Sequence, residues 1–526
     1  MLQLLDLFAF LSVLLRALTL AFEALTVGGV IFRFAMAGNG STELDRRISR
    51  FVVWFSGLLA VTQAAYIAAN SAILMESTDL AWAEVRGAAF CVSGFTMIAG
   101  AAVVGAFTRT RMAKLVSPLG CILILGGAVM SSHSMARLEY RWELAMLTLA
   151  HHSASAAWVG GMPYLLISLR RTNQAEAESI VGRFSRMALV AVPILAGAGA
   201  LMSLAYVGST AALTGTAYGI MLSSKLILTV VLVAMGGLNF RIVRAVRAGA
   251  APKLLPLQRF AEAELGVGIT ILLAAASLTS SPPAADVQSD RVTAAEIAAR
   301  MRPTWPRMQT PPLTDLSPPS PLVPLSAPAS FVPGQTAQQP PKPGDIAWSE
   351  YNHHWAGLIV IAIGILSLLA RRWKWARNWP LVFFALAIFL LIRADPENWP
   401  LGPHGFWESF RVAEVAQHRI FVLLIVAFAI FEWSVQNGKL SALRAGLAFP
   451  MVCAVGGALL LTHSHSLGNV KEEFLAELSH TPLAILAVVA GWSRWLEIRS
   501  SPRFVRWVWP VCFILIGGIL MNYREA

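Results

Sequence analysis

The chain has 526 residues, of which 56% are hydrophobic and only 13% charged. Soluble domains carry about 25% charged residues, so a chain this long and this apolar lacks the polar surface to cover its cores in water, and the lipid bilayer is its solvent. The formal charge of +12 falls in short clusters between apolar runs and forms no continuous stripe, which argues against a nucleic-acid partner.

The four cysteines, Cys91, Cys121, Cys453 and Cys512, lie inside apolar runs without CxxC spacing, so a disulfide scaffold, a zinc ribbon and an iron–sulfur site are disfavoured. A spanning helix needs about 20 mostly apolar residues. In chain order the sequence predicts such helices near 4–36, 49–73, 84–107, 113–133, 142–168, 187–207, 218–240 and 257–279, then near 355–370, 380–394, 416–435, 443–462, 480–496 and 507–522. The fold class is therefore all-α, a polytopic transmembrane helical bundle of about fourteen spans. The first run is too long for a signal peptide and lacks an Ala-x-Ala cleavage site, so it is kept as a helix.

Residues 281–350 hold fifteen of the 28 prolines, in stretches such as Ser317-Pro318-Pro319-Ser320-Pro321. Proline removes a backbone donor, and this segment reads as an irregular, polyproline-like linker. It divides the chain into an eight-helix domain (1–280), the linker (281–350) and a six-helix domain (351–526).

Orientation follows from the Lys and Arg of short loops. Loops after odd-numbered spans carry clusters such as Arg46, Arg47 and Arg50, or Arg170, Arg171, Arg183 and Arg186, or Arg371, Arg372, Lys374 and Arg377. The even-numbered loops are nearly free of them. The basic loops are then cytoplasmic, and both termini and the linker face the outside.

With that orientation all ten histidines fall at or near the outer ends of spans: His133, His151, His152, His353, His354, His404, His418, His463, His465 and His480. Ionisable groups in a membrane are costly and usually functional, and imidazole suits copper, zinc, iron or nickel. An outward-facing metal site is the reading, with His133, His151, His353, His354, His418, His463, His465 and His480 as candidate ligands. His404, in Pro403-His404-Gly405, reads better as a turn residue. His152 points about 100° away from His151 on a helix, so one of the pair at most faces a given partner. Met130, Met135, Met146 and Met162 bracket the first histidines; thioether with imidazole suits Cu(I), although methionine is also a common core filler.

A repeat accompanies the histidines. Gly126-Gly127-Ala128-Val129-Met130-Ser131-Ser132-His133 recurs as Gly456-Gly457-Ala458-Leu459-Leu460-Leu461-Thr462-His463, and one residue's slip brings His151 onto His480. Eight spans separate the copies, so the expected duplication is parallel.

From about residue 140 to 283 the chain reads His151-x6-Trp158-Val159-Gly160-Gly161, then Phe184-Ser185-Arg186-Met187-Ala188-Leu189, then Tyr218-Gly219-x2-Leu222-x2-Lys225, then Asn239, Glu264 and Pro282-Pro283. That ordered set resembles the copper resistance protein D family of bacterial inner-membrane proteins. The resemblance implies copper transport or tolerance, with family histidines matching His151 and His133. The last six spans do not fit that core.

Trp158, Lys225 and Glu264 are candidates for a transport path. Gly160-Gly161 permits close helix approach, and Lys225 is placed to snorkel outward. Glu264 either receives an ion on its way inward or pairs with Arg259, and Arg16 with Glu23 is expected to form a buried packing pair. No P-loop, GxSxG elbow or HExxH motif is present, so neither an enzyme nor an ATP-driven pump is expected. The expected partners are copper ions, membrane lipid and a periplasmic copper-binding protein. Two other readings share the histidines: a b-type haem electron carrier, for example between His418 and His480, and a copper-delivery factor for oxidase assembly.

Overall fold

The computed structural model describes residues 2–37, 42–248, 254–288, 291–317, 342–411, 413–441, 443–461, 470–500 and 504–525, with side chains from Leu11 onward. Among them the chain is helical throughout, with one isolated bridge between Asn398 and His404. The helices are α1 (Leu2–Ile31, continued by a π turn Phe32–Ala37), α2 (Thr42–Thr78), α3 (Trp82–Val85), α4 (Ala89–Phe107), α5 (Ala113–Met130), α6 (His133–Ala136), α7 (Arg141–Ser155, continued by a π turn Ala156–Gly160), α8 (Met162–Arg171), α9 (Gln174–Val207), α10 (Thr210–Thr214), α11 (Ala217–Arg247) and α12 (Leu255–Ser280). There follow α13 (Ala294–Met301), α14 (Pro343–Leu369), a 3-10 turn Lys374–Leu381 leading into α15 (Val382–Arg393), α16 (Ala413–Gln436), α17 (Ala448–Leu460), α18 (Val470–Ser500) and α19 (Val505–Met521).

Each of the fourteen predicted runs falls on described helix. Ten described helices are long and apolar enough to cross a membrane, and Ala445–Leu460 and Val505–Met521 are shorter apolar helices. The other two runs correspond to α7 with α8, interrupted by the π turn, and to α18, whose first turns carry Lys471, Glu472, Glu473 and Glu477.

Residues 7–288 form one compact unit, and most of those from 291 onward form the other. In the first unit α4 packs along α5 and α2, α7 along α9, and α11 along α12. The α4–α5 contact requires glycine: a Cβ on Gly100 would lie 2.6 Å from the Gly120 carbonyl oxygen, and one on Gly120 would lie 2.8 Å from that of Gly100. Small residues let backbones approach where no hydrophobic effect drives helices together. In the second unit α14 pairs with α19 in the same way through Gly357 and Gly517.

The two halves of the expected duplication pack differently. Gly127 of α5 fits against Ser93 and Met97 of α4, the preceding helix, whereas Gly457 of α17 fits against Ala484 and Val488 of α18, the following one.

The described parts of the proline-rich segment pack on one unit or the other, and residues 318–341 lie outside the described residues. Ala285 donates its N–H to the Tyr206 carbonyl, and Asp286 pairs with Arg137 at 3.0 Å, which fastens 284–286 to the first unit. Residues 291–317 lie over helix ends of the second unit instead. The Arg307 N–H donates to His354 Nδ1 (2.7 Å), Trp355 Nε1 to the Met308 carbonyl (3.2 Å), and the Ser317 N–H to Asp345 (3.0 Å). Proline forbids regular ladders here, and side chains of α14 supply the partners that the backbone needs.

Within this cap α13 starts with a capping box. Glu296 N–H donates to Thr293 Oγ1 while the Thr293 N–H donates to the Glu296 carboxylate, which also meets Lys471 at 3.2 Å. The Thr293 backbone and hydroxyl, and then Lys471, hold the exposed Glu296 carboxyl down to about 2. A free glutamate titrates near about 4.3, so the box contributes fully above that pH and is lost as pH falls toward about 2. Hydrogen exchange over 294–301, corrected for intrinsic rates, should show more protection at about pH 5 than at about pH 3. The Glu296→Gln variant should lose that difference.

Candidate functional site

The histidines of the first unit occupy different depths. His133 follows the end of α5 and opens α6, whereas His151 lies ten residues inside α7, about 15 Å from its start. Only the first is at a helix end as the sequence suggested.

The His133 ring packs edge-on against Tyr206, with centroids 6.1 Å apart. It hydrogen-bonds the Leu278 backbone, and its Nε2 is buried with no protein partner. The bond to the backbone fixes which nitrogen carries the proton and leaves Nε2 with the lone pair, the arrangement that orients metal-ligating histidines. Burial, followed by the charges of Arg16 and Arg137, holds this imidazole below the usual histidine range, with Asp286 opposing. A neutral imidazole is the form that binds metal. The same two guanidinium groups repel a cation, and the Arg137–Asp286 pair offsets one of them.

Arg16 reaches this end of the unit, donating to Thr279 Oγ1 at 2.8 Å and to the Ser131 carbonyl at 3.2 Å. The expected Arg16–Glu23 pair is therefore not formed. Glu23 instead bonds His152, Nδ1 to Oε1 at 2.8 Å, because α7 presents His152 toward α1 while His151 turns toward α9. His151 Nδ1 meets the Leu195 carbonyl at 3.0 Å, which again leaves Nε2 as the lone-pair nitrogen. The two rings are 6.5 Å apart. The Glu23–His152 contact escaped the sequence reading, although Glu23 inside a 27-residue apolar span (Leu11–Ala37) was a signal that a partner must exist. Of the neighbouring methionines, Met146 is 65% exposed on the outer surface of α7, while Met162 is buried.

The family-like motif residues gather elsewhere. Trp158, Met162, Phe184, Ser185, Asn239 and Glu264 line one cavity of about 290 Å³, whose remaining walls are mostly aliphatic. The π turn carries Trp158 and buries it at 3% exposure, and Gly160 lets α1 approach at Ala24. Glu264 is 4% exposed and accepts a bond from Asn239 Nδ2 at 2.5 Å. Arg259, its expected partner, bonds Glu262 instead at 2.7 Å, as does Arg170. Lys225 is half-buried on α11, fourteen residues from Asn239, or about 21 Å along the helix.

In the second unit His353, His354 and His418 are occupied by their own surroundings, whereas His404 Nε2 is buried without a partner. His354 is committed at both nitrogens: Nδ1 accepts from the Arg307 N–H at 2.7 Å and Nε2 meets the Tyr523 carbonyl at 3.0 Å. His353 bonds the Ser349 carbonyl one turn back at 2.8 Å and stacks on Tyr523 with ring centroids 3.8 Å apart. His418 pairs with Asp395 at 2.8 Å, and His480 sits half-buried ten residues into α18. His463 and His465 lie outside the described residues. Among the described residues, no three His, Cys, Asp or Glu side chains come together as a metal cluster.

Residues 178–278, from α9 to α12, match the family model described as copper resistance protein D. They include Ser185, Lys225, Asn239 and Glu264, while His133, His151 and Trp158 precede them. Copper transport protein CutJ of Bacillus subtilis (strain 168) is 31% identical over 141 residues, an alignment covering 26% of this chain and 25% of that protein's length. No solved structure matches the chain significantly. The family that the ordered motifs resemble is thus the one whose model matches residues 178–278, about a fifth of the chain, and the chain spans about a quarter of the length of the curated relative it matches.

Proposed function

We propose that this is a copper-handling integral membrane protein of the bacterial inner membrane, binding copper at outward-facing imidazoles of the first unit and passing it inward. The observation that carries the reading is the copper resistance protein D match over 178–278. It is supported by two imidazoles in the same unit, His133 and His151, each with one nitrogen bonded to protein and Nε2 bearing the lone pair. Nitrogen donors suit copper better than the oxygen-seeking magnesium or calcium.

Trp158, Lys225 and Glu264 belong on the inward path in this reading, beyond the ligands. On the same reading the fourteen helical runs cross the membrane with both ends of the chain and the proline-rich linker outside. Metal analysis and a visible spectrum of the purified full-length protein test the assignment. Bound copper without a Soret band is expected; a Soret band with no copper would replace it by the haem reading. Orientation is checked by reporter fusions at Asn173 and Gln335, which should report cytoplasmic and external sides respectively, and matching signals would overturn it.

A further inference from the structure

We propose that Glu264 is a proton-exchanging carboxyl served through the cavity beside it, and that its protonation is linked to the passage of copper through the first unit. The link rests on the copper reading above; the proton exchange does not.

The case starts from what surrounds the carboxyl. Glu264 is 4% exposed on α12, and a charge at that depth without a cation beside it is expensive. The basic groups on the elements packed around it are engaged or turned away. Arg259 and Arg170 bond Glu262, and Arg183 donates to the Met36 carbonyl. Arg171, Arg186, Arg241 and Arg244 are exposed. Lys225 lies about 21 Å along α11 from Asn239, and Arg16 bonds Thr279 near the far end of α12. Of the acids, Glu23 is bonded to His152 and Glu262 to the two arginines. Glu264 is therefore a lone carboxyl with neutral neighbours, Asn239 and Trp158.

A second observation points to an exchanging occupant. Asn239 is 8% exposed; its Nδ2 donates to Glu264, and its Oδ1 is buried without a partner. Both residues line the 290 Å³ cavity, which is roomy enough for water wherever such polar atoms can hold it. An amide suits a carboxyl that changes state: the NH₂ donates to the carboxylate, and after rotation the oxygen accepts from the carboxylic acid. Oxygen-bearing side chains with no imidazole and a single thioether, Met162, in the lining suit a proton better than copper. In the step, hydronium in the cavity gives its proton to the Glu264 carboxylate, leaving a carboxylic acid and water, and release reverses it.

The test uses full-length protein in proteoliposomes with a pH indicator inside, with copper supplied as Cu(I) and separately as Cu(II). Copper passage by the wild type should be accompanied by proton movement. Glu264→Gln should cut that proton movement at least tenfold and flatten the pH dependence of copper passage, and Glu264→Asp should restore part of both. Equal proton movement and an equal pH profile in wild type and Glu264→Gln would overturn the proposal. A parallel measurement needs no copper: difference infrared spectra of the wild type, with Glu264→Gln subtracted, should show one carboxyl band titrating between about pH 5 and 9. Asn239→Leu, which keeps the carboxyl, should move its midpoint. A band that stays fixed across that range overturns proton exchange. If no copper passes in the wild type, the copper reading falls and the infrared titration alone decides the role of Glu264.

Discussion

Full-length protein in which His133 and His151 are both alanine should bind copper at least tenfold more weakly than wild type, and cells carrying it should lose any copper-dependent growth phenotype. Each imidazole has one nitrogen tied to a backbone carbonyl, at Leu278 and Leu195, so the ring orientation is set by the fold before metal arrives. Removing even an outer partner of that kind typically costs ten- to a hundredfold in metal affinity; removing the ligands themselves should cost at least as much. The protein should still insert, because neither ring is a large part of a packed core and each bond lost is a single one. Equilibrium dialysis on purified protein, with membrane levels measured by immunoblot, gives both quantities. Unchanged affinity in the double variant would remove these two residues from the metal path. Replacing His354, whose nitrogens serve the Arg307 N–H and the Tyr523 carbonyl, should instead loosen residues 291–317 and leave copper affinity alone.

The helices were legible because a spanning helix advertises itself by length and apolar composition. All fourteen runs contain helix, and ten described helices are long and apolar enough to span, while in α18 Lys471, Glu472 and Glu473 interrupt the apolar pattern of the first turns. What composition does not carry is direction around the helix axis. The seven-residue spacing of Arg16 and Glu23 made them look like partners, but α7 offers Glu23 a histidine, and Arg16 finds a hydroxyl and a carbonyl at its own depth. The proline-rich segment shows a different limit. Its composition suggests irregular structure throughout, yet α13 (Ala294–Met301) and the first turns of α14 lie within it, and composition says nothing of attachment, which depends on partners such as His354, Trp355 and Asp345 on α14. The repeated Gly-Gly-Ala segment shows a third: Gly127 and Gly457 share their local sequence and still meet different neighbouring helices. In the site, Trp158, Phe184, Ser185, Asn239 and Glu264 converge on one cavity while Lys225 and His151 do not line it, and among the described residues the histidines that suggested metal form no cluster.

His152→Ala should be the most destabilising single change in the first unit's polar interior, lowering unfolding free energy by about 3 kcal/mol. Glu23 is 3% exposed, one of its oxygens bonds His152, and the other, Oε2, is buried with no partner. Taking away the histidine leaves a buried carboxyl wholly uncompensated, which costs more than the pair itself contributes. Replacing both residues by leucine removes the polar groups together and should recover much of that loss, since buried pairs replaced by apolar side chains of similar volume are often close to neutral. The cycle of Glu23→Leu, His152→Leu and the double variant, followed by reversible unfolding in mixed micelles, isolates the coupling, expected at about 1–3 kcal/mol. Strict additivity would mean that the two side chains do not depend on each other in the folded protein. Copper affinity measured on the same variants separates structure from function: His152 points toward α1, away from the face where His151 meets α9, so the double leucine variant should keep the copper affinity of wild type.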